Sequence, residues 1–205
     1  HAEANTLENV DFKKNKIYTL YSTLEPCCHE GRDESCVSKI LKSKKINRVI
    51  FSLIDPDKRV NGKGKKILKK NNLEVKSGLL ENQIKNLYQG YILNRKENRP
   101  KIILKLAITK DGYITFEKGK RTKITNLISD KYSDILRSEV DAILVGANTV
   151  RIDNCILKCK MTGLINKSPI RIVLNRKLDL STNSKIFKNC KEFRTILFTS
   201  NSCKN

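Results

Sequence analysis

Apolar and polar positions alternate through "KIYTLYSTL" (16–24), a stretch rich in β-branched and aromatic residues, which predicts a strand. The period then changes. Val37, Ile40 and Leu41 in "SCVSKILKSKK" fall three and four apart and predict a helix. "INRVIFSLI" (46–54) predicts a second, buried strand and "DPDKRVNGKG" (55–64) a loop. "KGKKILKKNN" reads as a helix ending at Asn71–Asn72, and "LEVKSGLL" (73–80) as a third short strand. Residues 81–96, "ENQIKNLYQGYILNRK", read as helical. Ahead of the first strand, a helix-like start gives way to a connection over residues 6–15.

The pattern breaks at "KENRP", where charge, Asn and Pro100 mark a linker. "KIILKLAIT" (101–109) alternates again and predicts a strand, with a turn at Asp111–Gly112. "SDKYSDILRSEV" predicts an amphipathic helix with Ser129 as its N-cap. "DAILVGANTV" predicts a strand running into a glycine turn, and "IRIVLNRKL" and "FRTILFTS" predict further strands. Two successive α/β units follow, with a boundary near residue 98. No internal repeat is visible.

The chain has 205 residues, 39% of them hydrophobic, enough to bury a core in one large or two small domains. No apolar run approaches the roughly 18–20 residues of a membrane span, and no membrane partner is expected. Nothing resembles a signal peptide. The formal charge of +21 invites a nucleic-acid reading. The lysines are scattered, however, and not interleaved with aromatics. No specific nucleic-acid site is expected; the charge attracts polyanions weakly and helps draw in a phosphorylated small substrate. The seven cysteines (27, 28, 36, 155, 159, 190 and 203) are odd in number and uneven in spacing. They do not form a disulfide framework on paper. A reducing, cytoplasmic setting with free or metal-bound thiols fits better. The chain starts at His1 rather than Met, inside a motif, and is expected to be a fragment or a processed product.

That motif carries the chemistry. His1-Ala2-Glu3 is followed, after a strand, by Pro26-Cys27 and then Cys36. His-x-Glu with Pro-Cys and a later Cys is the zinc deaminase pattern. A hydrolytic zinc site needs three protein ligands and an open position, and His1, Cys27 and Cys36 supply the three. Zinc lowers the pKa of its water from about 15.7 to about 7. Water then attacks a ring carbon bearing an amino group, while Glu3 takes the water proton and delivers it to the ring nitrogen and the departing ammonia. Cys28 and His29 compete for the ligand role; Cys27 is preferred because it follows the proline. A redox pair at Cys27–Cys28 lacks the C-x-x-C spacing. Copper held by an N-terminal His would need His1 to be a mature terminus. A turn of merely buried residues is the bland alternative. Cys155 and Cys159 have no partner pair at ligand spacing and read as ordinary thiols.

Nucleic-acid and nucleoside deaminases place their cysteines as Pro-Cys-x-x-Cys, whereas eight residues separate Cys27 from Cys36. With that long interval, "HAEAN", "TLEPCCHEGR…C" and "DPDKRVNGKG" resemble the deaminase motifs of the bifunctional riboflavin-biosynthesis deaminase/reductase family, RibD. "KLAITKDGYIT" and "LRSEVDAILVGANTV" resemble the opening of its reductase domain. The resemblance implies a cytidine-deaminase-like three-layer α/β domain over residues 1–97. A partial dihydrofolate-reductase-like α/β domain then spans residues 98–205, the chain being truncated at both ends. It further implies zinc-dependent deamination of 2,5-diamino-6-ribosylamino-4(3H)-pyrimidinone 5′-phosphate, then NADPH-dependent reduction of the ribosyl group to ribityl. Ala107, Thr149 and Asp153 fall where the family contacts NADPH, and Arg137 and Leu157 where it contacts the ribose-phosphate substrate. A homo-oligomer is implied as well. The chain departs from the family at Asp33-Glu34-Ser35, where Thr-Pro-Pro is usual. It departs again at Arg121, Lys123, Asn154, Cys155 and Lys160, and it stops before the later glycine-rich phosphate loop. The rival readings are a nucleotide or tRNA-editing zinc deaminase, and a non-catalytic zinc module that binds nucleic acid.

Overall fold

Neighbouring parallel strands need a long crossover, and a helix covers that distance while burying an apolar face. The computed structural model describes residues 1–31 and 33–201, so Cys203 lies outside the described residues. It divides into two compact units, His1–Ile103 and the chain from Leu104 onward. In the first, α1 (Ala2–Asn9) precedes β1 (Tyr18–Leu24), α2 (Cys36–Ser43), β2 (Ile46–Leu53), α3 (Lys63–Lys70) and β3 (Glu74–Ser77). The strands lie in the order β1-β2-β3, all parallel. Leu20 is level with Val49, and Val49 with Val75. These three join Phe51, Val37 and Ile40 of α2, and Leu68 of α3 in one core, with Leu7 of α1 packed against it.

Beyond β3, α4 (Glu81–Leu87) and α5 (Gln89–Glu97) replace the single helix expected over 81–96. Tyr88 ends one and opens the other. Gly90 weakens helix propensity at this point, and the Tyr88 hydroxyl is tethered 2.7 Å from that of Thr23 on β1. The first helix also runs further than expected, to Asn9, because Leu7 finds the core and the Asn9 amide donates back to the Asn5 carbonyl. β3 is shorter than expected: left-handed backbone at Gly78 (φ 97°) and Leu80 (φ 55°) turns the chain into α4.

The second unit contains α6 (Leu127–Ser138), β4 (Ala142–Gly146) and α7 (Ala147–Asp153). A 3-10 turn (Ile165–Lys167), β5 (Ile170–Leu174), α8 (Lys185–Lys188) and β6 (Thr195–Phe198) follow. Its strands, β4-β5-β6, are again parallel. Val150, Val173 and Ile186 form its buried core, with Val145, Leu180 and Leu197 against it. Leu144, Leu174 and Phe198 stay exposed. The protein is thus α/β with parallel sheets.

Three expectations are corrected from residue 101 onward. Residues 101–109 form no strand: a strand exists only against a neighbour, and Ile102 and Leu104 here are 82% and 81% exposed. The turn that follows is present, with Gly112 N–H donating to the Thr109 carbonyl at φ 89°. The N-cap of α6 is Asn126, whose Oδ1 accepts Ser129 N–H at 2.9 Å, so Ser129 is already inside the helix. β4 passes straight into α7 through Gly146 at φ −77°, without a left-handed glycine turn. Among the described residues, no helix is long and apolar enough to cross a membrane.

Candidate metal centre

Three local choices bring the donors together. His1 stands at the N-cap of α1 and Glu3 in its first turn. β1 ends at Leu24, three residues before Cys27. Cys36 opens α2, which is capped by Ser35: its Oγ accepts Ser38 N–H at 3.2 Å. Glu34 beside it pairs with Lys42 at 2.6 Å.

His1 Nδ1 lies 3.3 Å from Cys27 Sγ and 3.3 Å from Cys36 Sγ. All three donor atoms fall within 4.8 Å of one another, and no other group of this kind occurs among the described residues. Zn–S and Zn–N bonds of about 2.3 and 2.0–2.1 Å at tetrahedral angles place N and S about 3.5 Å apart. The donors are therefore spaced to fit the ion. Cys36 N–H donates to Cys27 Sγ at 3.3 Å, and Glu3 Oε2 sits 3.6 Å from Cys36 Sγ. Burial, then the Glu3 carboxylate and Cys27, push the Cys36 thiol up to about 12. A buried thiol beside a carboxylate is a poor place for an anion, and a divalent cation reverses that balance.

The competing donors are elsewhere engaged or differently aimed. Cys28 Sγ faces the Arg59 carbonyl at 3.6 Å, and burial raises its thiol. His29 Nδ1 is buried without a hydrogen-bond partner. His29, His1, Cys27, Asn5, Asp33 and Lys39 line one open cavity of about 520 Å³. The six described cysteines are all free, and no three-ligand cluster forms at Cys155 and Cys159.

In the second unit, Asp153, Arg137 and Arg121 all act electrostatically on the half-buried Cys155 thiol, which burial raises. Leu157 and Cys155 pack against the same core. Arg137 is paired with Asp134 in its own helix, while its Nε is buried and without a partner. Leu157 adopts φ 59°, a left-handed conformation unusual for a branched side chain. Thr149 is exposed on α7, four residues before Asp153 and on the same face. Ala107 lies in the unpaired stretch before α6.

Sequence reasoning missed a buried acidic network. Asp57 accepts two bonds from the Arg59 side chain, at 2.7 and 3.0 Å, and Arg59 holds its carboxyl far below the usual range. Asp55 accepts from the Tyr91 hydroxyl at 2.8 Å. Glu25, beside the Pro26–Cys27 turn, is also buried. The available signal is the dense charge of "DPDKR", in which short-range side-chain to backbone bonds are expected.

The RibD C-terminal domain family matches residues 100–205. The chain belongs to the RibD C-terminal domain family. The riboflavin biosynthesis protein RibD of Aquifex aeolicus is 37% identical over 199 residues, covering 97% of this chain and 55% of that protein. RibD of Synechocystis is 34% identical over 185 residues, covering 90% of this chain and 49% of that one. The chain therefore spans about half the length of the curated RibD relatives it matches. Among solved structures, Acinetobacter baumannii RibD is similar at a TM-score of 0.81 and 30% identity, over 89% of this chain and 51% of that one. The diaminohydroxyphosphoribosylaminopyrimidine deaminase/5-amino-6-(5-phosphoribosylamino)uracil reductase of Thermotoga maritima is similar at 0.81 and 34%, over 91% and 52%.

Proposed function

We propose that the chain belongs to a riboflavin-biosynthesis enzyme with a zinc-dependent deaminase unit at residues 1–97 and the opening of an NADPH-dependent reductase at 98–205. The substrate of the first is 2,5-diamino-6-ribosylamino-4(3H)-pyrimidinone 5′-phosphate; the second reduces the ribosyl group of its product to ribityl. The first unit is read as a cytidine-deaminase-like three-layer fold, and the second as a partial dihydrofolate-reductase-like one. The names of the RibD relatives support the chemistry. The convergence of His1, Cys27 and Cys36 with Glu3 carries it.

His1, Cys27 and Cys36 would hold the ion. When bound, zinc supplies Lewis acidity and a nucleophile at neutral pH. Glu3 stands beside the donors without being one of them, and it moves protons: it accepts one from the attacking water and returns it to the ring nitrogen and the leaving amine. Water and the aminopyrimidine give the carbonyl compound and ammonia. The cavity beside His1 and Cys27 is polar, lined by Asn5, Glu8, His29, Asp33, Glu34 and Lys39, with Lys39 paired to Glu8, and it supports a polar substrate. In the second unit Arg137 and Leu157 are assigned to the ribose phosphate, since a planar guanidinium binds phosphate through two parallel bonds. Ala107, Thr149 and Asp153 are assigned to NADPH.

The test is zinc analysis together with ammonia release from the diaminopyrimidine phosphate, cytidine and single-stranded RNA. One zinc per chain and release from the first substrate alone is the expected result. Glu3→Gln keeps the metal and loses roughly 10²–10⁴-fold in rate. A metal-free protein, or undiminished turnover by Glu3→Gln, overturns the proposal. Preference for cytidine or RNA redirects it to another deaminase.

A further inference from the structure

One buried carboxylate in the first unit has no part in the chemistry above. Glu25 is 2% exposed and sits two residues before Cys27, between the end of β1 and the metal-ligand turn. Both its oxygens are occupied by backbone donors. Oε2 accepts Gly62 N–H at 2.8 Å and Asp55 N–H at 3.3 Å; Oε1 accepts Lys65 N–H at 2.8 Å. Gly62 is the N-cap of α3 and Lys65 lies in its first turn. Glu25 therefore clamps the loop after β2 and the start of α3 onto the segment that carries Cys27.

Gly64 seals the same junction. A side chain there would run into the Pro26 carbonyl and crowd the Glu25 carboxylate. From the opposite side, Val37 N–H donates to the Cys27 carbonyl at 3.0 Å and Cys36 N–H to Cys27 Sγ at 3.3 Å. The turn bearing Cys27 is held between the starts of two helices. Glu25 forms the α3 side of that grip.

We propose that Glu25 is the positioning residue of the metal centre, fixing the Cys27 sulfur at bonding distance by locking the Pro26–Cys27 turn to α3. The inference rests on the reading of His1, Cys27 and Cys36 as metal ligands. A carboxylate is an acceptor at both oxygens; a glutamine presents one acceptor and one donor. Glu25→Gln therefore sets an amide N–H against at least one of the three backbone donors and loosens the turn without removing volume. Outer residues that orient ligands typically matter 10–100-fold in metal affinity.

The experiment is Co(II) titration of the full chain against a competing chelator, with the ligand-field absorption bands recorded alongside. Val75→Ala is the control: it thins the core at β3 and touches no site residue. Glu25→Gln should bind Co(II) about tenfold or more weakly and shift the bands. Glu25→Asp, which keeps the carboxylate but shortens its reach, should fall between Gln and wild type. Val75→Ala should lower the melting temperature and leave affinity and bands unchanged. Wild-type affinity and spectrum in Glu25→Gln overturns the inference, as does an equal loss in Val75→Ala. Failure of both Glu25 variants to fold with metal present assigns Glu25 to stability alone and overturns it too. Absence of Co(II) binding by the wild type instead sinks the metal reading itself.

Discussion

The two units use the same plan, three parallel strands with helical crossovers, but they differ in what they bury. The first closes its apolar residues around Val49, Phe51 and Leu68, and buries acids: Glu25, Asp55 and Asp57. The second has a smaller core and buries a base. Arg171 on β5 is out of contact with solvent and donates to the Ile156 and Phe193 carbonyls and to Thr195 Oγ1. Many of its large apolar residues face water instead, from Leu104 through Phe116 and Ile128 to Phe198. Alternation in sequence becomes a strand only where a partner strand exists. β1 has β2 beside it, whereas 101–109 carries as good a pattern and stays unpaired.

Truncating one phenylalanine in each unit should give the most unequal losses of stability. Phe51 is fully buried, and Phe51→Ala should cost about 3–5 kcal/mol in urea unfolding of the first unit. Phe116 is 82% exposed, and Phe116→Ala should stay within about 0.5 kcal/mol of wild type. A loss above about 1 kcal/mol at Phe116 shows that this segment is covered in solution, and the contrast between the units then disappears.

A second contrast is in acid. Arg59 keeps the Asp57 carboxyl well below its ordinary value of 3.8. The folded state therefore binds that proton less readily than the unfolded chain. Its contribution to stability is complete above about pH 4 and is lost as pH falls further, through the folded value. Urea midpoints of the first unit should decline below pH 4. Asp57→Asn should be less stable at pH 7 and decline less steeply in acid. A slope in Asp57→Asn equal to the wild type assigns the acid sensitivity to other carboxylates.

The site is more legible in the sequence than its supports are. His1, Glu3, Cys27 and Cys36 stand out because donor types at that spacing are rare by chance, and the structure brings them together. β1, α2 and β2 fall within about two residues of their patterns, since an apolar face of fixed period requires a partner layer. The Asp57–Arg59 pair is local to "DPDKR", but the bonds of Glu25 and the Tyr91–Asp55 bond are not legible: their partners lie tens of residues away, and a sequence does not show which groups meet. The break at Tyr88 is hidden for the same reason, depending on Thr23. In the second unit, Leu157 and Cys155 pack on one core, whereas Ala107 lies in a stretch whose pairing the pattern alone cannot supply.

The smallest effect concerns the start of α6, where pattern and structure choose different caps. Ser129 is the cap that the sequence suggests; Asn126 is the one whose Oδ1 reaches back to a free N–H, that of Ser129. A side-chain acceptor stabilises a helix only if it stands just outside the first turn, so the two residues should respond unequally. Asn126→Ala removes the acceptor and should cost about 1 kcal/mol. Ser129→Ala leaves the Ser129 N–H and its bond to Asn126 in place, and loses only the Ser133 Oγ bond to the residue-129 carbonyl if the backbone shifts. It should change stability by no more than about 0.5 kcal/mol. Amide exchange across 127–130 reads both variants directly: protection should fall in Asn126→Ala and persist in Ser129→Ala. The opposite order would mean that α6 begins a turn later in solution, and that its exposed first residues, Leu127 and Ile128, belong with the unpaired apolar stretches rather than with the helix.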